Sequence, residues 1–245
     1  ILAGGIGLYE FYHIAGKNGF SPFRISGIAA GVWLSVSYWL SIRTNAGIDY
    51  HFFRQETLVI LIFWLLLIQA FARGTKDAIK NIAVTIFGIF YVVFLLSFAI
   101  ALRHFPQGLC VVILVLLVSK FGDIGGYLLG RKYGKHKLAK VISPNKTIEG
   151  ACFSLASSVF IALIFNFIPQ TKVMSLPWSM VFGVIVGFSA LLGDLAESLL
   201  KRDANVKDSG RLVPAFGGVL DVIDCLLISM PVSYYFFVWF KFVSL

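Results

Sequence analysis

This chain is short of charge, cysteine and histidine, and each shortage removes a class of protein. Only 13% of its 245 residues are charged, against about 25% in a soluble domain, which excludes an ordinary water-exposed globule. Its three cysteines, Cys110, Cys152 and Cys225, lie in apolar runs without paired spacing. That pattern indicates neither a disulfide framework nor a zinc site, and packing is their default role. The four histidines, His13, His51, His104 and His136, are scattered near loops and form no ligand cluster. No cleavable signal peptide is recognisable. The first residue is Ile, so an N-terminal piece is expected to be missing.

Long hydrophobic runs are what the chain has instead. Hydrophobic residues make up 58% of it, and the mean hydropathy is +0.87. Runs near 24–42, 55–72, 79–101, 108–130, 148–168, 177–200 and 219–243 are each about long enough to cross a ~30 Å hydrocarbon core. Residues 1–15 read as the tail of another span. The fold class predicted is all-α, a polytopic integral membrane protein with about eight transmembrane helices, the first partial. Helices of 1–107 read as a lipid-facing scaffold, and those of 108–245 carry the chemistry. The 24 Phe and 5 Trp are lipid-facing or interfacial by default. Gly183 and Gly187, four apart, allow close helix packing.

A net charge of +9 suggests nucleic acid until its distribution is read. Fifteen of the 21 Lys and Arg fall in the loops 16–24, 73–80, 131–147 and 201–216. Arg43, Arg54, Arg103, Lys172 and Lys241 fall on the opposite side, and Lys120 lies inside a span. Such a bias makes the first side cytoplasmic and leaves both visible ends outside. Topology and attraction to lipid headgroups account for most of this basicity. They do not account for the acids.

Of twelve acidic residues, Asp123, Asp194, Glu197, Asp221 and Asp224 lie in or at the ends of apolar runs. Asp49, Glu56, Asp77, Asp203 and Asp208 sit in or beside loops, Glu10 near the first boundary, and Glu149 at the start of a span. A carboxylate in hydrocarbon costs ~2.5 kcal/mol or more, so acids at such depth usually line a polar cavity. The predicted topology brings Asp123, Asp194, Asp221 and Asp224 to the cytoplasmic membrane face. Asp221 and Asp224 share a helix face at i, i+3, and Asp194 and Glu197 repeat the spacing. Hard cations such as Mg²⁺ use one or two carboxylates plus substrate phosphates, and Lys201, Arg202, Lys207 and Arg211 nearby suit a phosphate. Salt bridging to neighbouring lysines and a proton or cation pathway are the rival uses of these acids.

Glycines add a further signal. Pro214, Gly217 and Gly218 precede the helix of Asp221, where free N–H groups suit an anion, although a flexible hinge explains them equally. In "FGDIGGYLLGRKYGKHKLAKVISPNKTIEG" (121–150) an acid and a glycine pair lead into a basic loop. Thr147 or Asn145 is predicted to cap the helix that follows, with Glu149 in its first turn.

The stretch "SLLKRDANVKDSGRLVPAFGGVLDVID" (198–224) resembles the signature of the phosphatidate cytidylyltransferases, the CDP-diacylglycerol synthases. Ser198, Lys201, Arg202, Lys207, Asp208, Pro214, Gly217, Gly218, Asp221 and Asp224 all match it. "SPNKTIEG" (143–150) looks like the family's second block, and "DIGGYLLGRKYGK" (123–135) like the segment before that block. The resemblance covers roughly residues 120–230 and extends to the N-terminal half only as a hydrophobic pattern. It implies transfer of CMP from CTP to phosphatidate, giving CDP-diacylglycerol and pyrophosphate in phospholipid biosynthesis. For Mg²⁺, with room for a second cation, it implies Asp194, Asp221 and Asp224 as ligands, and Asp123 near them. Lys146, Lys201, Arg202 and Lys207 would hold phosphates, and Ser198 and Asp208 would orient them. Asp123, Ser143, Thr147, Gly217 and Gly218 would complete the substrate site. The implied partners are CTP, phosphatidate and membrane lipid, with no nucleic acid, and a homodimer is allowed. A bacterial inner membrane with the site facing the cytoplasm is the expected location.

Two departures stand out. The family usually has Gly-His-Gly-Gly where this chain reads Ala215-Phe216-Gly217-Gly218, and Asp-Arg where it reads Asp221-Val222. Nucleotidyl transfer with a pyrophosphate leaving group depends mainly on charge neutralisation and alignment, so the histidine is expected to be dispensable. A CTP-dependent lipid kinase, a cation-coupled transporter and a non-catalytic homologue are the competing readings.

Overall fold

The computed structural model describes the backbone of residues 1–43, 50–168, 173–213, 217–240 and 242, and the side chains of these residues apart from 41–58. Helices dominate: α1 (Leu2–Lys17), α2 (Arg24–Arg43), α3 (Tyr50–Ile68), α4 (Ala78–Gly88), α5 (Leu95–Arg103), α6 (Gly108–Tyr133), α7 (Ile148–Phe167), α8 (Leu176–Asp203) and α9 (Val219–Trp239). A π-helical stretch, Ile89–Phe94, joins α4 to α5, and another, Gln69–Arg73, extends α3. The chain divides into two compact units, one of residues 1–100 with 203–223 and one of 101–202 with 224–245.

Among the described residues, five helices are long and apolar enough to cross a membrane. They are Ala78–Arg103, Gly108–Tyr133, Ile148–Phe167, Leu176–Asp203 and Val219–Trp239. The expectation of about eight spans is therefore not supported, though each of the last five predicted runs has its helix. The run at 1–15 forms a 16-residue helix, which at ~1.5 Å per residue is about 24 Å long. The run at 24–42 falls in α2, and the run at 55–72 in α3 and its π-helical extension; the side chains of 41–42 and 55–58 lie outside the described set.

In the first unit α1 packs on α4 and the π stretch. Leu8, Phe11, Tyr12, Ile89 and Val92 are buried together there. The Tyr12 hydroxyl donates to the Thr85 carbonyl (2.8 Å), and Thr85 Oγ1 accepts from Phe23 N (2.9 Å), so the polar groups of Tyr12 and Thr85 are paired inside this core.

The second unit is a set of antiparallel helices held close by small residues. A Cβ on Gly130 of α6 would stand 2.8 Å from Gly150 Cα of α7. One on Gly183 of α8 would stand 2.6 Å from Val159 Cα, and Gly187 meets Ser158 of the same helix. The predicted close packing at Gly183 and Gly187 is thus seen, with α7 as the partner. Phe182 of α8 stacks edge-on against Phe236 and Phe237 of α9 (5.2 and 5.6 Å between centroids). Outward-facing Phe160 and Phe188 are what a lipid-exposed face requires.

An all-α class misses one feature. Residues Lys137–Ala139 (β1) and Ser143–Thr147 (β2) pair antiparallel between α6 and α7. Strands this short carry no readable alternation, so the sequence shows only a basic loop. Thr147 caps α7, its Oγ1 accepting from Gly150 N (3.1 Å) as predicted. Glu149 accepts from Lys135 N (3.0 Å) and His136 N (3.1 Å) and meets His136 Nδ1 (2.6 Å). The hairpin is thereby tied to the first turn of α7.

Candidate active site

Within the second unit, three aspartates from three helices stand within electrostatic reach of one another: Asp123 of α6, Asp194 of α8 and Asp224 of α9. Packing explains the convergence. Gly193 precedes Asp194, and a Cβ there would stand 2.5 Å from the Asp224 carbonyl oxygen. The α8 and α9 backbones therefore touch where both carry an acid. Asp224 is 8% exposed, and its Oδ1 accepts from the following N–H, Cys225 N (2.6 Å).

Cations offset these acids. Lys146, on β2, makes an ion pair with Asp194 Oδ2, while Asp194 Oδ1 accepts from Ser198 one turn on (3.3 Å). Lys120 lies 3.9 Å from Asp123 Oδ2 on the same face of α6. Further along α8, Lys201 pairs with the fully buried Glu197, and Arg202 Nε donates to the Ile142 carbonyl between the strands (3.3 Å). Salt bridging to neighbouring lysines is thus present at Asp123, Asp194 and Glu197. Ser143 and Thr147 sit at the two ends of β2, with Thr147 committed to its capping bond.

The first unit holds the other part of the signature. Asp221 Oδ2 accepts from Ser209 N (2.9 Å), Ser209 Oγ (2.7 Å) and Gly218 N (2.7 Å). Gly217 has φ +101°, and a Cβ there would stand 2.6 Å from Asp221 Oδ2, so only glycine fits. Lys207 and Asp208 are exposed and line a cavity of about 590 Å³ with Tyr9, His13, Lys17 and Arg211.

Sequence reasoning missed Glu10. It was read as a boundary acid, yet it is 2% exposed and accepts from Val219 N (3.1 Å), Leu220 N (2.7 Å) and Ser209 Oγ (3.2 Å). The N–H groups offered on paper to a substrate anion at the start of α9 are therefore engaged by Glu10 and Asp221. No local pattern marks Glu10, since its partners lie about 200 residues away. Phe216 lies outside the described residues.

Among the described residues, no three His, Cys, Asp or Glu side chains converge into a ready-made metal site. The donor chemistry nevertheless fits a hard cation. Mg²⁺ typically takes one or two carboxylates and completes its shell with water and phosphate oxygens, and Asp194 and Asp224 supply such a pair on touching helices.

The sequence profile of the Cytidylyltransferase family matches residues 1–240. A phosphatidate cytidylyltransferase of Synechocystis is 30% identical over 95% of this chain and 85% of its own length. One from Chlamydia pneumoniae is 32% identical over 95% of this chain and 79% of its own. One from Bacillus subtilis is 30% identical over 79% of this chain and 74% of its own.

Proposed function

This chain belongs to the cytidylyltransferase family, and we propose that it is an integral membrane nucleotidyltransferase that passes CMP from CTP to phosphatidate. A phosphate oxygen of phosphatidate forms a bond to the α-phosphorus of CTP. The bond from that phosphorus to the bridging oxygen of the β-phosphate breaks, and pyrophosphate leaves with its electron pair. CDP-diacylglycerol is the other product.

Similarity to enzymes of that name over 95% of the chain carries the reading. The arrangement of side chains supports it. Nucleophile and electrophile are both anionic, so the site must offset charge before it can align the reactants. Lys146, already drawn to Asp194, Lys201 and Arg202 would hold phosphate oxygens, as would Lys207 at its cavity. Ser198, bonded to Asp194, and Asp208 would orient them. Asp194 and Asp224 would hold Mg²⁺, which when bound supplies positive charge beside the phosphates. Asp123 keeps Lys120 close to the same group. A site at the ends of apolar helices suits a lipid that enters from the bilayer and a nucleotide that enters from water. The excess of basic loops on one side supports a bacterial inner-membrane protein whose site faces the cytoplasm.

The test is one assay. Purified protein receives CTP, phosphatidate and Mg²⁺, and pyrophosphate and CDP are measured separately. Pyrophosphate in step with CDP-diacylglycerol is expected. CDP with no pyrophosphate would mean γ-phosphoryl transfer and would overturn the reading.

A further inference from the structure

Glu10 is the one acid of α1, and it is almost wholly buried. A carboxylate so placed is costly unless donors surround it, and its donors all come from one region. Val219 N and Leu220 N open α9, where N–H groups lack helical partners and the helix dipole favours an anion. Ser209 Oγ is the third. Its single proton serves one acceptor at a time, and the shorter contact is to Asp221 (2.7 against 3.2 Å). Gly218 leaves the room this requires, since a Cβ there would stand 2.5 Å from Glu10 Oε2.

The first helix is thereby fastened on both sides of the segment 210–217. Lys207 and Asp208 immediately precede the fastened Ser209, and they line the cavity whose other wall, Tyr9, Glu10, His13 and Lys17, belongs to α1. We propose that Glu10 is a positioning residue for cytidylyl transfer, fixing Ser209 and the start of α9 so that Lys207 and Asp208 are presented to a substrate phosphate. This rests on the function proposed above.

The experiment uses the full-length protein. Glu10→Gln keeps size and one acceptor oxygen but removes the charge and faces a backbone donor with an amide. It should lower kcat/KM for CTP with phosphatidate by about tenfold or more without loss of membrane insertion. Ser209→Ala should remove both the contact with Glu10 and the bond to Asp221. Because the Glu10 contact is common to both variants, the double variant should lose less than the product of the two single losses, whereas independent roles would multiply. A readout free of catalysis accompanies this: a cysteine at Val206, in a chain lacking the three native cysteines, should react faster with a soluble thiol reagent when Glu10 is Gln. If Glu10→Gln does not accumulate folded, Glu10→Asp, which keeps the charge one methylene short, replaces it with a smaller loss expected. Wild-type turnover with an unimpaired Glu10 variant, unchanged labelling or multiplicative losses would overturn the positioning role alone. Absence of pyrophosphate release by the wild type would overturn the functional reading and the role built on it.

Discussion

Lys146, on the strand before α7, makes an ion pair with Asp194 on α8, 48 positions further along the chain. The pair joins the hairpin to the acid-bearing helix and sets a cation beside the three-aspartate group. Lys146→Met removes the cation and leaves a partly buried carboxylate uncompensated. A fall in kcat/KM of about 100-fold, roughly 2.7 kcal/mol, is expected, with Lys146→Arg recovering part of it. Michaelis kinetics on purified variants check this, and a Lys146→Met enzyme within threefold of wild type would contradict it.

Asp224→Asn and Asp194→Asn should each abolish turnover while the protein still inserts. The change is isosteric and removes only the charge that a divalent cation needs. Asp221→Asn should also lose activity, and it weakens three hydrogen bonds at the start of α9, so its melting temperature should fall as well. Chelation should silence the wild type, and added Mg²⁺ should restore it. Near-normal turnover of either Asp194 or Asp224 variant at saturating Mg²⁺ would sink the metal assignment.

Gly193→Ala and Gly183→Ala should separate stability from catalysis. Each inserts a methyl group against backbone that cannot swing aside, and overpacking of this kind costs about 1–3 kcal/mol. Both should unfold at lower temperature in detergent. Only Gly193 lies where the backbones of Asp194 and Asp224 touch, so only Gly193→Ala should lose activity beyond its loss of folded protein. Gly5→Ala, whose Cβ would meet nothing nearer than 3.8 Å, serves as the tolerated control.

Phe216→His should change activity by less than about tenfold, roughly 1.4 kcal/mol, because no proton transfer is assigned to that position. A hundredfold gain would instead mark the native chain as a weakened enzyme.

Sidedness can be read with one cysteine. Leu212 is 62% exposed and suits labelling. Leu212→Cys, in a chain lacking the native cysteines, should resist an impermeant reagent in intact cells and react once the membrane is opened. CTP with Mg²⁺ should slow that reaction. Labelling in intact cells would turn the basic loops outward, away from cytosolic CTP.

The sequence by itself decided the class and the chemistry. Hydrophobic runs long enough for hydrocarbon, acids that such runs cannot hold without a reason, and the spaced block 198–224 are local properties that survive without a fold. Thr147 as a cap and Gly183 with Gly187 as a packing face were legible for the same reason, since their causes lie within one turn or one helix. Tertiary structure decided which polar atoms meet. Lys146 reaches Asp194 only because the hairpin folds back on α7, and Asp194 approaches Asp224 only because Gly193 lets two backbones touch. Glu10 shows the limit most plainly. Its donors are backbone N–H groups some 200 residues away, and a backbone donor has no letter in a sequence.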